Sequence, residues 1–223
     1  GFISLFANNL ISQTTLDYKN RIHSETSDEF MVVSQNFHAT KVGYEILDQG
    51  GNAVDAAVAI HFALAVTYPN AGNIGGGGFL VYHAPDGSDS FLDFRETAPG
   101  AASSDMYNAN PGSSTLGWLA VGVPGAVPGM WEAHRKYGKL AWKDLVQPAY
   151  LLAKDGFTLS QSLCDRLQRY KNKLQLDPGC RAIFFGSQRM RGGEMFKQAE
   201  LAHSLELISE RGDQAMRNGY IVD

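Results

Sequence analysis

Cysteine is scarce: Cys164 and Cys180 are the only two in 223 residues. Their spacing fits no metal-ligand motif. It leaves pairing open, with two free buried thiols as the simpler reading. Positive charge is also limited, with 19 Lys and Arg against 23 Asp and Glu and a net charge of −4. That balance argues against a nucleic-acid-binding surface. Long apolar runs are missing. The stretch Ala53 to Val66 has 14 residues, whereas a bilayer needs roughly 20. No internal repeat or low-complexity tract is present. The histidines do not cluster, and His61 and His134 read as core or surface residues on helices rather than ligands. What remains is a globular composition, 44% hydrophobic and 19% charged, with material for one or two domains.

The chain is organised around Asn52 to Glu96. Ala53 to Val66 is apolar on nearly every side, which marks a core helix. Asn52 is a good N-cap, and Asp55 in the first turn complements the helix dipole and can reach back to the cap. Pro69 ends the helix. Four consecutive glycines follow, Gly75 to Gly78. They lack the pattern of a phosphate loop, with no G-x-x-x-x-G-K-[ST] and no helix opening from them. Tight packing of a strand against the core helix is the expected use.

Phe79–His83 and Ser90–Phe94 flank the turn Pro85-Asp86-Gly87-Ser88 and predict a β-hairpin. Phe91, Asp93 and Arg95 fall on one face, Leu92 and Phe94 on the other. Arg95 is thereby delivered at a strand end. A guanidinium held there suits bidentate grip of a carboxylate, and an internal ion pair with Asp93 or Glu96 is equally open.

Three stretches together carry a resemblance: Gly50 to Ala59, Gly72 to Phe79, and Asp93-Phe94-Arg95-Glu96-Thr97-Ala98-Pro99. They resemble the γ-glutamyltranspeptidases, and the likeness continues through Val123-Pro124-Gly125, Tyr137-Gly138, Gln147-Pro148-Ala149 and Ala153 to Phe157. It runs from about Met31 to the end. The resemblance implies an α/β fold of the N-terminal-nucleophile hydrolase type, in four αββα layers, here incomplete. It implies a precursor that cuts itself into a large and a small subunit, with the small subunit's new N-terminal Thr as nucleophile. It also implies acyl transfer from glutathione or other γ-glutamyl compounds to water or to amino acid or peptide acceptors. Arg95 occupies the position that holds the substrate α-carboxylate, and a periplasmic or secreted location is expected. No cofactor or metal is implied.

On this reading residues 1–30 are an N-terminal arm or connector, and 31–223 are the N-terminal portion of the large subunit. Gly1 in place of Met suggests processing or a cut. Gly1–Leu10 lacks a basic n-region, so it is a signal-peptide remnant or an arm. Ile11–Phe30 reads as an exposed connector with at most a short helix. No segment matches the family's Thr-led processing site, since Thr14-Thr15 precedes the recognised region. The chain by itself is therefore expected to be inactive, with no catalytic residue of its own, whether truncated, split or a remnant. The alternatives are a related amide acylase and a non-catalytic member. A cut fold exposes sheet edges and apolar faces, so self-association is expected.

Elsewhere the pattern predicts a strand at Met31–Ser34 and a helix over His38–Gln49. A loop is expected over Ala101–Thr115, then a strand at Trp118–Val121. Helices are expected over Ala126–Tyr137, Trp142–Lys154, Ser160–Lys173, with Tyr170 inward, and Gln198–Arg211. Asp177-Pro178-Gly179 reads as a turn and Ile183-Phe184-Phe185 as a short strand.

Overall fold

Asn36 and Asn52 begin the two helices on which the rest of the chain packs. In the computed structural model, which describes residues 26–186 and 190–222, α1 is Phe37–Asp48 and α2 is Ala53–Thr67. The Asn36 side chain accepts from His38 N–H at 2.9 Å. Ala39, Val42, Gly43 and Ile46 then form the buried face of α1. Gly50, at φ 86°, turns the chain out of α1, a conformation that favours glycine. Helix α2 has apolar residues on every side, and Val54, Val58, Phe62 and Val66 are all but fully buried. An all-round apolar helix is stable only when other elements surround it.

The hairpin forms as expected. Strand β1 (Phe79–His83) pairs antiparallel with β2 (Asp89–Asp93), Phe79 opposite Asp93 and His83 opposite Asp89. Gly87 takes φ 85° in the turn, and Asp86 accepts from Ser88 N–H at 2.9 Å. Leu80, Tyr82, Leu92 and Phe94 face the core. Phe79, Val81 and Phe91 face outward at 55%, 78% and 61% exposure.

The remaining elements are α3 (Ala126–Tyr137), α4 (Trp142–Asp155), β3 (Phe157–Thr158), α5 (Gln161–Leu174), α6 (Pro178–Phe185), β4 (Met195–Phe196) and α7 (Ala199–Arg211). Strands β3 and β4 form a second antiparallel pair. Trp142 Nε1–H donates to Ile208 O at 2.9 Å and joins α4 to α7. Gln198 Nε2 donates to Val66 O at 2.9 Å and satisfies the end of α2. These elements all belong to residues 32–222. Residues 26–31 form a bent segment in which Glu29 N–H meets Ser27 Oγ at 3.4 Å. The readings of Gly1–Leu10 and of most of Ile11–Phe30 lie outside the described residues.

Several expectations are corrected. Met31–Ser34 forms no strand among the described residues. Trp118–Ala120 is a 3-10 turn rather than a strand, with Trp118 at 88% exposure. Ile183–Phe185 is helical, because Asp177 caps α6 through Cys180 N–H and Pro178 opens its first turn. A proline at the first helical position is favourable, so the same three residues that read as a turn start a helix. Tyr170 is half exposed, not inward. The glycine stretch is not used as expected: a Cβ on Gly77 or Gly78 would meet Phe94–Glu96 and one on Gly76 would meet Asn73, not the core helix, while Gly75 faces open space.

Candidate functional site

The segment Phe94–Thr97 is clamped from both sides. On one side, Gly78 N–H donates to Phe94 O at 3.4 Å and Phe94 N–H to Gly78 O at 3.0 Å. A Cβ on Gly77 would lie 2.5 Å from Phe94 O and 2.7 Å from Glu96 N, so only glycine lets the two backbones approach. On the other side, Thr97 and Val123 exchange both backbone bonds, at 3.3 and 2.8 Å. Gly125 and Ala126 N–H then both donate to Gly76 O at 2.8 Å. Two glycine-bearing segments thus grip one strand end, and α3 starts directly from that grip.

Arg95 emerges from this clamp with its side chain 68% exposed. Its backbone N–H donates to Asp93 Oδ1 at 3.0 Å. Asp93 therefore holds the Arg95 backbone and not the guanidinium. Glu96 is the one ion-pair partner among the described residues, with Oε2 3.7 Å from Arg95 Nε. An exposed contact of that kind contributes at most about 1 kcal/mol. The guanidinium also lies 5.9 Å from the Phe79 ring centroid. The arrangement is a rigidly based cation whose outer donors face open solvent. It suits an incoming carboxylate. Beside it a recess of about 360 Å³ is lined by Glu96, Thr97, Met106, Tyr107, Leu119 and Val121.

The other candidate groups lie elsewhere. His134 Nε2 is paired with Leu140 O at 2.8 Å. His61 Nε2 is buried with no hydrogen-bond partner, and burial lowers the ring's pKa to about 4. Cys164 and Cys180 are free thiols, one buried and one half-buried. Burial raises both, with Asp165 adding to the first and Asp177 to the second. Neither is poised as a thiolate nucleophile. Among the described residues no three His, Cys, Asp or Glu side chains gather to hold a metal. Also among them, no helix is long and apolar enough to cross a membrane.

One role went beyond the expected reading. Asp55 closes the capping box, accepting Asn52 N–H at 2.9 Å. It also accepts Lys139 N–H at 2.9 Å and Leu140 N–H at 3.3 Å across the fold. No sequence signal near Asp55 points to those partners; Tyr137-Gly138 marked the place without the reason.

A family model described as Gamma-glutamyltranspeptidase matches residues 39–223. The chain is 47% identical over 200 residues to the glutathione hydrolase proenzyme of Pseudomonas sp. (strain A14), covering 86% of this chain and 35% of that protein. It is 43% identical over 208 residues to the glutathione hydrolase proenzyme of Escherichia coli (strain K12), covering 90% and 36%. It superposes on the crystal structure of Helicobacter pylori γ-glutamyltranspeptidase with a TM-score of 0.85 at 37% identity, covering 89% of this chain and 59% of that one. The chain thus spans about a third of the length of these curated relatives.

Proposed function

The chain belongs to the γ-glutamyltranspeptidase family, and on that premise we propose that it is the substrate-anchoring, N-terminal part of a γ-glutamyltransferase or glutathione hydrolase. Arg95 grips the α-carboxylate of a γ-glutamyl substrate. The observation that carries this reading is the clamped backbone of Arg95 beneath an exposed guanidinium with one weak acidic contact. A planar fork matches a carboxylate in a way a lysine ammonium does not.

The nucleophile is an N-terminal Thr on a separate small subunit, consistent with the relatives being named proenzymes. Its hydroxyl adds to the γ-carbonyl carbon while its own α-amine takes the proton. An oxyanion hole supplied by the partner stabilises the tetrahedral intermediate. The C–N bond breaks and the leaving amine takes up the proton. Water then releases glutamate, or an amino acid or peptide amine captures the acyl group. No cofactor enters these steps. Arg95 fixes the register of the γ-carbonyl by holding the far end of the glutamyl group.

In the assembled protein, residues 31–223 are the N-terminal portion of the large subunit and 1–30 its arm. The partner completes the αββα layers over the outward face of Phe79, Val81 and Phe91. The location is periplasmic or secreted. An amide acylase is the neighbouring reading, but an exposed Arg95 favours a substrate with an α-carboxylate. A non-catalytic role would require the absence of a Thr-led partner, which intact mass and N-terminal sequencing of co-purifying chains would detect.

The test is Arg95→Lys in the complete enzyme, assayed with a γ-glutamyl anilide. Losing a bidentate charged pair is worth about 1.5–3 kcal/mol, so KM should rise at least tenfold with a smaller change in kcat. An unchanged KM refutes the assignment.

A further inference from the structure

Helix α5 carries a second cationic site that shares no lining residue with the Arg95 segment. A groove of about 460 Å³ runs between α5, α6 and the turn after α2. This is within the size range of small-ligand sites, roughly 300–1,000 Å³. Its floor is apolar, formed by Leu163, Leu167, Leu174 and Phe184 with Pro69. Arg166 stands in its wall, and Nη1–H donates to Tyr68 OH at 3.0 Å. The same guanidinium lies 5.4 Å from the Tyr68 ring centroid. It is therefore held in place by a neutral phenol and not by an acid.

Arg166 and Tyr170 also line an adjoining recess of about 420 Å³, together with Ser162, Asp165 and Arg169. Asp165 is the one acid there, and its Oδ1 already accepts Gln161 Nε2 at 2.7 Å. Among the described residues neither Arg166 nor Arg169 has an acidic partner within 4.0 Å. Tyr170, half exposed where the sequence pattern expects it inward, is the wall between the two hollows.

We propose that this groove binds a carboxylate-bearing amphiphile, an organic anion whose apolar tail covers the Leu163–Phe184 floor while its head meets Arg166 and Arg169. The charge decides the sign of the ligand. Two guanidiniums, neither of them ion-paired among the described residues, outnumber the single carboxylate of Asp165 in the recess, and so repel a cationic amphiphile and attract an anionic one. The floor decides the tail, because a bare inorganic anion would leave the leucines and Phe184 wet.

Cys180 lines the groove and reports on it. The full-length protein is labelled with N-ethylmaleimide at pH 8, and modification of Cys180 is read by peptide mass spectrometry, with buried Cys164 as internal reference. Decanoate below its micellar concentration is expected to slow Cys180 labelling saturably, at least fivefold. Acetate and decyltrimethylammonium at equal concentration should not. Arg166→Gln should raise the half-protecting decanoate concentration about tenfold, and Arg169→Gln, on an exposed side chain, about threefold. Circular dichroism confirms that each variant is folded; if Arg166→Gln is not, Arg169→Gln decides. Equal protection by decyltrimethylammonium, no saturable protection, or an unchanged half-point in the folded variants overturns the proposal. The readout needs no catalytic activity, so it stands or falls separately from the role given to Arg95.

Discussion

Replacing Asp55 by Ala separates a local helix cap from a staple that holds distant segments together. The carboxylate is fully buried. It accepts Asn52 N–H at 2.9 Å, Lys139 N–H at 2.9 Å and Leu140 N–H at 3.3 Å. A helix cap alone is worth about 1 kcal/mol. Three part-buried backbone donors left without an acceptor cost up to about 1–3 kcal/mol each, less where water reaches the exposed Lys139 side of the turn. The expected loss for Asp55→Ala is therefore about 4 kcal/mol, a size that single substitutions rarely reach. Asp55→Asn keeps one acceptor oxygen but turns an NH2 towards the backbone donors, so it should lose about 2–3 kcal/mol. Urea denaturation of the wild type and both variants gives the magnitudes. Amide exchange gives the location, since the Lys139 and Leu140 amides should exchange faster while the middle of α3 stays protected. A loss near 1 kcal/mol for Asp55→Ala, with Lys139 and Leu140 unaffected, would show that Asp55 acts only as a cap.

Gly77→Ala should destabilise by about 1–3 kcal/mol, because the new Cβ meets backbone and not a flexible side chain; in the complete enzyme it should also raise KM, as Arg95 Cα is 2.8 Å from that Cβ. His61 adds a pH dependence. Its folded pKa, about 4, lies below the ordinary 6.5, so the unfolded chain takes up the proton first as pH falls. The contribution is full above pH 6.5 and is lost down to about pH 4, amounting to up to about 3 kcal/mol if the ring stays dry; His61→Phe should flatten the stability profile across that window. The outward face of Phe79, Val81 and Phe91 should make the isolated chain self-associate, and Val81→Lys with Phe91→Lys should shift its sedimentation toward the monomer. A wild-type chain that sediments as a monomer at all concentrations would refute that expectation.

Much of the frame was legible without coordinates. Asn52 followed by an all-round apolar run and Pro69 specifies a capped core helix, because each local preference agrees with the next. The hairpin follows from alternation on both sides of Pro85–Ser88, and that alternation already put Arg95 on one face with Phe91 and Asp93, without telling which face is outward. Short apolar runs were another matter. Ile183–Phe185 and Trp118–Val121 look like strands by composition, and periodicity over three or four residues cannot separate strand from helix or turn. Asp177 with Pro178 settles the first as a helix, and the lack of a ladder partner among the described residues settles the second as a turn.

The sequence by itself determined the family, the central helix, the hairpin and the face that Arg95 shares with Phe91, since these depend on local chemistry and on motifs in fixed order. Only the tertiary structure decided what Asp55 and the glycines are for. Asp55 binds amides 84 and 85 residues away in sequence, and Gly76 meets Gly125 and Ala126 at 2.8 Å. Contacts of that span leave no periodic trace, because a hydrogen bond between distant segments constrains two backbones without requiring any pattern in the residues between them.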